Sequence, residues 1–237
     1  MTARLTDHQT EALAAYRALM VERPGLFQGR TRRPIVADLD VVGAYAAAHG
    51  VVLGVAAQTP QILLVVDLVE SRRPDGGVLR HPYLRVVSRG QLEGGVNVVV
   101  LATIADPALG PVGSIVLVDQ ERHALGACVT ELPRGFGEPG LSGEANALRE
   151  LEEETGYRGR SARLLGAAAI DSGMTDASAS FYHVEVIARA AARPETSEAI
   201  AGVRLATPSE LWDAVRSGAV RDSFTLQALA LWDRRAE

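Results

Sequence analysis

An α+β fold is expected from three features of this sequence. Short apolar runs rich in Val, Ile and Leu recur along most of it, at strand length rather than helix length. Few helical stretches interrupt them, at the start, in the middle and at the end. Strands and helices are mixed without any internal repeat. The expected layout is an N-terminal helical extension over 1–50, an N-terminal β-layer over 51–92, and a main domain over 93–237.

Taken in order, Thr6 to Val21 reads as a helix with Leu13, Tyr16, Leu19 and Met20 on or near one face, ended by Arg23-Pro24-Gly25. Gly29 to Pro34 (GRTRRP) reads as a solvated basic linker. A short helix from Asp40 to Ala48 closes on Gly50. His8 and His49 lack metal-ligand spacing, so surface or helix-end roles are expected. Strands follow at Val51 to Ala57 and Ile62 to Val69, and the Pro-Asp-Gly turn within Arg72 to Gly77 returns the chain as Val78 to Ser88. Further strands are read at Val96 to Ile104, Ser114 to Val118, Ala162 to Ala169, Phe181 to Ala190 and Ile200 to Ala206. Thr207-Pro208-Ser209 starts a helix through Val215, and Asp222 or Ser223 caps a last one through Trp232.

Composition narrows the partners. Hydrophobic content of 47% and charged content of 22% fit a soluble globular protein. All 24 basic residues are Arg, and the net charge of −5 argues against nucleic-acid binding, which needs clustered cations in excess. The most apolar stretch, Val51 to Val69, is broken by Gln58-Thr59-Pro60-Gln61 and by Asp67, so it reads as two strands rather than a membrane span. The N-terminus lacks the apolar centre of a signal peptide, and a cytoplasmic location is expected. A single cysteine, Cys128, excludes an internal disulfide and is expected as a small buried residue of a strand.

The chemistry lies in Leu132 to Tyr157, LPRGFGEPGLSGEANALRELEEETGY. Its glycines read as a loop, Ser142 as an N-cap, Ala145 to Glu154 as helix, and Gly156 as the stop. On that helix Glu150, Glu153 and Glu154 share a face, while Glu152 points elsewhere. Like charges so placed repel unless a cation sits among them, and hard divalent ions take carboxylate oxygens. Arg149 is spaced to pair with Glu153. The alternative for such a run is a solvated acidic face.

The spacing resembles the Nudix box, G-x5-E-x7-R-E-U-x-E-E-x-G-U, with U a bulky apolar residue. Gly135, Arg149, Glu150, Leu151, Glu153, Glu154, Gly156 and Tyr157 match; Leu141 stands where the pattern has its first Glu. Ile115 to Pro133 and Val203 to Leu229 also resemble segments of the ADP-ribose and nucleotide-sugar pyrophosphatase group. This resemblance implies a mixed β-sheet sandwiched by helices and a hydrolase that uses Mg²⁺ or Mn²⁺ on a nucleoside diphosphate linked to X. It implies a metal held by Glu150 and Glu154, with Glu153 and the Arg134 backbone carbonyl close by, and Arg149 as orienter. Arg122 becomes a candidate phosphate ligand, its alternative being an exposed strand-end arginine; His123 is expected to be structural. A homodimer is also implied, with Ile62 to Arg89 helping the partner's site.

Two departures stand out. Leu141 removes a carboxylate, for which Glu138 or Glu144 are the local substitutes. In Asp171 to Ala177, Ser172 takes the place of a Pro and Ala177 that of a Glu, leaving Asp176 either as catalytic carboxylate or as turn residue. A Nudix-fold binding or regulatory module with little turnover, and a tailoring phosphohydrolase of a nucleoside pathway, remain as alternative functions.

Overall fold

The computed structural model describes residues 4–29, 32–193 and 199–233. The chain divides into two compact units, one of 1–89 with 171–177 and one of 90–170 with 178–237.

In the first unit, helix α1 (Asp7–Glu22) is opened by a capping box in which Thr6 and Gln9 exchange side-chain and backbone hydrogen bonds. Gln9 is buried, and its amide donates to the carbonyls of Ala46 and Val51 at 3.1 and 2.8 Å. Helix α2 (Leu39–His49) is capped by Asp38 and ends on Gly50 in the left-handed region. His49 stacks on Tyr45 in its last turn, the helix-end place expected of it. Residues 30 and 31 of the basic linker lie outside the described residues.

Strands β1 (Gly54–Gln58), β2 (Ile62–Arg72) and β3 (Val78–Ser88) form an antiparallel sheet in that order. The β2–β3 hairpin runs without a break in register from Ile62↔Ser88 to Arg72↔Val78. Val42 and Ala46 of α2 pack with Leu53 and Leu68 in one core. The loop 171–177 joins this unit through β3, with Val86 N–H donating to Met174 O at 2.8 Å and Tyr83 Oη to Gly173 O at 2.7 Å.

A single helical turn, α3 (Arg89–Leu92), precedes the second unit's strands β4 (Val98–Ile104), β5 (Ile115–Arg122), β6 (Ala127–Glu131) and β7 (Arg134–Gly135). Helix α4 (Gly143–Thr155), strands β8 (Tyr157–Ala169), β9 (Ser178–Arg189) and β10 (Ile200–Ala206), and helices α5 (Pro208–Ser217) and α6 (Ser223–Asp233) complete it. The sheet order is β10-β5-β4-β9-β8, with β6 on β5, β7 on β4, and β4–β9 the parallel pair. Every residue of β4 is buried, and alternate residues serve opposite faces. Val98, Val100 and Ala102 pack with Ala147 and Leu151 of α4; Val99 and Leu101 pack with Leu211 of α5 and Leu229 of α6. The mixed sheet between helices is therefore realised.

Two local expectations change. Cys128 lies in β6 as expected but is exposed, because alternation along this strand buries Val129 and Glu131 instead. Arg134-Gly135, read as loop, are a short strand registered on Val99 and Val98, and this fixes the height of the glycine loop against the sheet. Among the described residues no helix is long and apolar enough to cross a membrane.

Candidate active site

Helix α4 brings the acidic side chains to the sheet. Ser142 Oγ accepts from Ala145 N–H at 3.2 Å, and Gly156, at φ 74°, ends the helix in a conformation that other residues adopt only with strain. Leu151 and Ala147 anchor one stripe in the core. Glu150 and Glu154, on the flank of that stripe, are drawn in with it and are only 4% and 2% exposed. Glu152 faces out and pairs with Arg158, as its spacing required.

The glycine loop closes over these carboxylates. A Cβ on Gly135 would lie 2.0 Å from the Glu150 carboxyl carbon, so the close approach of backbone and carboxylate needs glycine there. Arg134 N–H donates to Glu154 Oε2 at 3.2 Å. Asn146, fully buried on α4, donates to the carbonyls of Val96 and Phe136, and Asn97 accepts from Gly137 N–H at 3.0 Å. These two amides tie loop, helix and β4 together.

Arg149 is the hub of an acid-rich cluster. Its guanidinium reaches Glu153 at 2.7 Å, Glu150 at 2.7 Å, Glu138 at 3.0 Å and the Asn146 side-chain oxygen at 2.9 Å. The expected Arg149–Glu153 pair is present. The structure also separates the two local substitutes for the carboxylate absent at Leu141. Glu138 joins the cluster, whereas Glu144 accepts from Ala162 N–H of β8. Tyr182, on β9 under the start of α4, has its hydroxyl pKa pushed up by burial and then by the charge of Glu144.

A second cluster has the opposite balance. Glu131, 1% exposed at the end of β6, is gripped by Arg122 at the end of β5 and by Arg134, whose Nε lies 3.1 Å away. Arg122 contacts the carboxylate through Nε at 3.2 Å as well as through Nη2. Arg134 also lies over the Phe224 ring, 4.5 Å from its centroid. Two guanidinium groups on one buried carboxylate leave positive charge in excess. Arg134 bridges the clusters, its backbone N–H on Glu154 and its side chain on Glu131. Arg122 is thus a strand-end arginine, but a half-buried one held by a carboxylate. His123 opens the turn that follows it.

Asp176 belongs to the first unit, where its carboxylate lies 3.9 Å from Arg85 Nη1. The sequence alone does not single out Glu131, Asn146 or Asn97, although the run Ile115 to Pro133 ends in Glu131-Leu132-Pro133.

Among the described residues, no three His, Cys, Asp or Glu side chains gather tightly enough to enclose a cation unaided. The donor chemistry nevertheless fits Mg²⁺ or Mn²⁺. Glu150 and Glu154 are buried carboxylates one helical turn apart, and Mg²⁺ is commonly held by one or two carboxylates with water and substrate phosphate completing its shell.

A mixed sheet between helices, with a glycine loop seated on a carboxylate-bearing helix, defines the Nudix class. A NUDIX domain model matches residues 96–226, more than half of the 237-residue chain, and the chain belongs to this family. It is 48% identical over 62 residues to the ADP-sugar pyrophosphatase of Mus musculus, covering 26% of this chain and 28% of that one. It is 51% identical over 45 residues to the ADP-ribose pyrophosphatase of Bacillus subtilis (strain 168), covering 19% and 24%. The chain thus spans about a quarter of the length of these relatives. A crystal structure of an ADP compounds hydrolase superposes with a TM-score of 0.57 at 15% identity, over 75% of this chain and 88% of that one, a likeness of fold.

Proposed function

We propose that the protein is a divalent-metal-dependent hydrolase that cleaves the diphosphate of a nucleoside diphosphate linked to X, with ADP-ribose or a nucleotide sugar as substrate. The observation that carries this reading is the bridging of an acid-rich and an arginine-rich cluster by Arg134. A diphosphate with its cation needs both kinds of surface within one site.

Glu150 and Glu154 would hold the cation, with Glu153 and the Arg134 carbonyl completing the protein's share. Bound there, Mg²⁺ or Mn²⁺ supplies Lewis-acid stabilisation of the phosphates and lowers the pKa of an attacking water. Arg149 keeps the carboxylates of Glu150 and Glu153 apart and aimed. Arg134 and Arg122 present planar N–H forks to phosphate oxygens, with Glu131 fixing their orientation. Asp176 serves as the loop carboxylate that accepts a proton from the water. Its reading as a general base rests on the scarcity of other acids in that loop, where Asp171 is occupied in the turn.

The same reading assigns catalysis to 93–237, pairing of two copies to the β-layer 51–92, and a cytoplasmic location. The hydrolase reading is supported by the names of the relatives, both of which are pyrophosphatases of ADP derivatives. The test is a screen of ADP-ribose, nucleotide sugars, dinucleoside polyphosphates, nucleoside triphosphates and nucleoside monophosphates with Mg²⁺ or Mn²⁺, with products separated chromatographically. The expected result is metal-dependent release of AMP and a sugar phosphate from an ADP derivative. Nucleotide binding without turnover of any compound would instead make the protein a binding module in which Leu141 and Ala177 mark lost chemistry.

A further inference from the structure

The two arginines on Glu131 are not equivalent. Arg122 spends both Nε and Nη2 on the carboxylate, a bidentate grip that leaves only Nη1. Arg134 spends Nε alone, on Glu131 Oε1 at 3.1 Å. Its Nη1 and Nη2 make no hydrogen bond among the described residues, and its side chain is 24% exposed. A guanidinium held only by Nε keeps free a pair of N–H groups that matches two oxygens of one phosphate.

One bond at one edge does not fix a plane, because the guanidinium can still tilt about it. Phe224 supplies the second contact, with the Arg134 guanidinium carbon over its ring, 4.5 Å from the centroid. The ring cannot follow a tilting arginine, since the first turn of α6 is itself tied down. Thr225, fully buried, accepts from Leu132 N–H at 3.0 Å and donates through Oγ1 to Asp222 Oδ2 at 2.8 Å. Thr225 N–H donates to the same Asp222 oxygen at 2.8 Å. Phe224 also packs against the core that holds Leu211 and Leu229. Leu132 lies two residues before Arg134, so one helical turn fixes both the chain leading to the arginine and the ring behind it. An aliphatic side chain would fill the same place in that core but would offer a cation no π face.

We propose that Phe224 is a positioning residue for Arg134, holding its guanidinium so that Nη1 and Nη2 meet the oxygens of one substrate phosphate. This rests on the reading of Arg134 as a ligand of the diphosphate. Glu131, gripped by Arg122, fixes the edge of the guanidinium, and Phe224 fixes its face. Helix α6, far from the Nudix box in sequence, thereby orients the arginine that stands just before the box.

The test compares kcat and KM of the full chain, with Mg²⁺ and the best ADP derivative, for Arg134→Ala, Phe224→Leu, Phe224→Tyr and the pair Phe224→Leu/Arg134→Ala. Arg134→Ala should raise KM about 30-fold, as expected for lost hydrogen bonds to a charged group. Phe224→Leu should raise KM about fivefold, the scale of a lost cation–π contact. Its kcat should stay within about twofold, because what is lost is binding common to ground and transition states. Phe224→Tyr keeps the π face and should restore KM to within about twofold of wild type. The pair should be no worse than Arg134→Ala alone. Should Phe224→Leu fail to fold, Phe224→Met replaces it with a more adaptable side chain. An unchanged KM in the Leu or Met variant, a Tyr variant as impaired as these, or losses that multiply in the pair overturns the proposal. The raised KM of Arg134→Ala then leaves the reading of that arginine standing. An unchanged KM in Arg134→Ala, or a wild-type chain without metal-dependent turnover, overturns the proposal together with the reading beneath it.

Discussion

Two carboxylate clusters, one in each unit, use the same residue types to opposite ends. At Asp67 a single acid meets a single guanidinium and a tyrosine hydroxyl, so charge is balanced inside the cluster. At Arg149 one guanidinium contacts three carboxylates, with buried Glu154 a helical turn from Glu150. Balanced buried charge needs nothing further from outside. Several carboxylates gathered on one helix flank repel one another, and a divalent cation among them relieves that repulsion. The lesson is that the imbalance, more than the number of acids, distinguishes a site from a strut. The arginine excess around Glu131 teaches the same thing with the sign reversed.

That contrast can be broken at several points. Glu150→Gln removes a buried carboxylate from the acid-rich side and should lower kcat about 10³-fold, since cation stabilisation of developing charge is worth several kcal/mol. Thermal stability should hardly fall, or should rise, because like-charge repulsion is relieved; a large loss of stability would mean that Glu150 is a strut after all. Gly135→Ala leaves every charge in place but drives a methyl group into the Glu150 carboxylate. Steady-state kinetics should show a loss of about 10²-fold in kcat, since small misplacements cost that much. Glu131→Gln should cost about 2 kcal/mol in chemical denaturation, because two arginines lose a charged acceptor. Turnover at saturating substrate should fall less than in Gly135→Ala.

The smallest effect is expected from a scaffold group. His183 on β9 bonds Thr103 at 2.9 Å, and its pKa is lowered by burial first and then by Arg163, against an upward pull from Glu185. Its folded-state pKa lies below its unfolded value, so the unfolded chain binds the proton more readily. Stability should fall as the pH drops below about 6.5, and His183→Gln should flatten that slope in denaturant titrations without changing kcat at neutral pH. A change in kcat would bring His183 into the site.

Local order and site were legible to different degrees. The strand Val78 to Ser88 and the strand Ile200 to Ala206 have the ends expected of them, because turn and cap residues next to each fix where regular structure stops. The acidic face of α4 followed from helical period alone, and Ser142 and Gly156 bounded it. Glu131 was not legible as the partner of Arg122 and Arg134, because those contacts depend on which way β5, β6 and β7 face once paired. Asn97 and Asn146 are single amides whose value lies in backbone groups brought close only by folding. Cys128 turned outward because a strand of alternating burial offers two faces, and composition does not say which is inside.

Mn²⁺ binding followed by water-proton relaxation, in the wild-type chain and in Glu154→Gln, addresses the acid-rich cluster most directly. It should be run with and without α,β-methylene-ADP, alongside hydrolysis of ADP-ribose on the same samples. If unbalanced charge on α4 is the cation site, wild type should bind Mn²⁺ more tightly with the nucleotide present, and Glu154→Gln should lose both this binding and turnover. Equal Mn²⁺ binding by the two proteins, or turnover that survives in Glu154→Gln, would contradict the assignment of the metal to this helix.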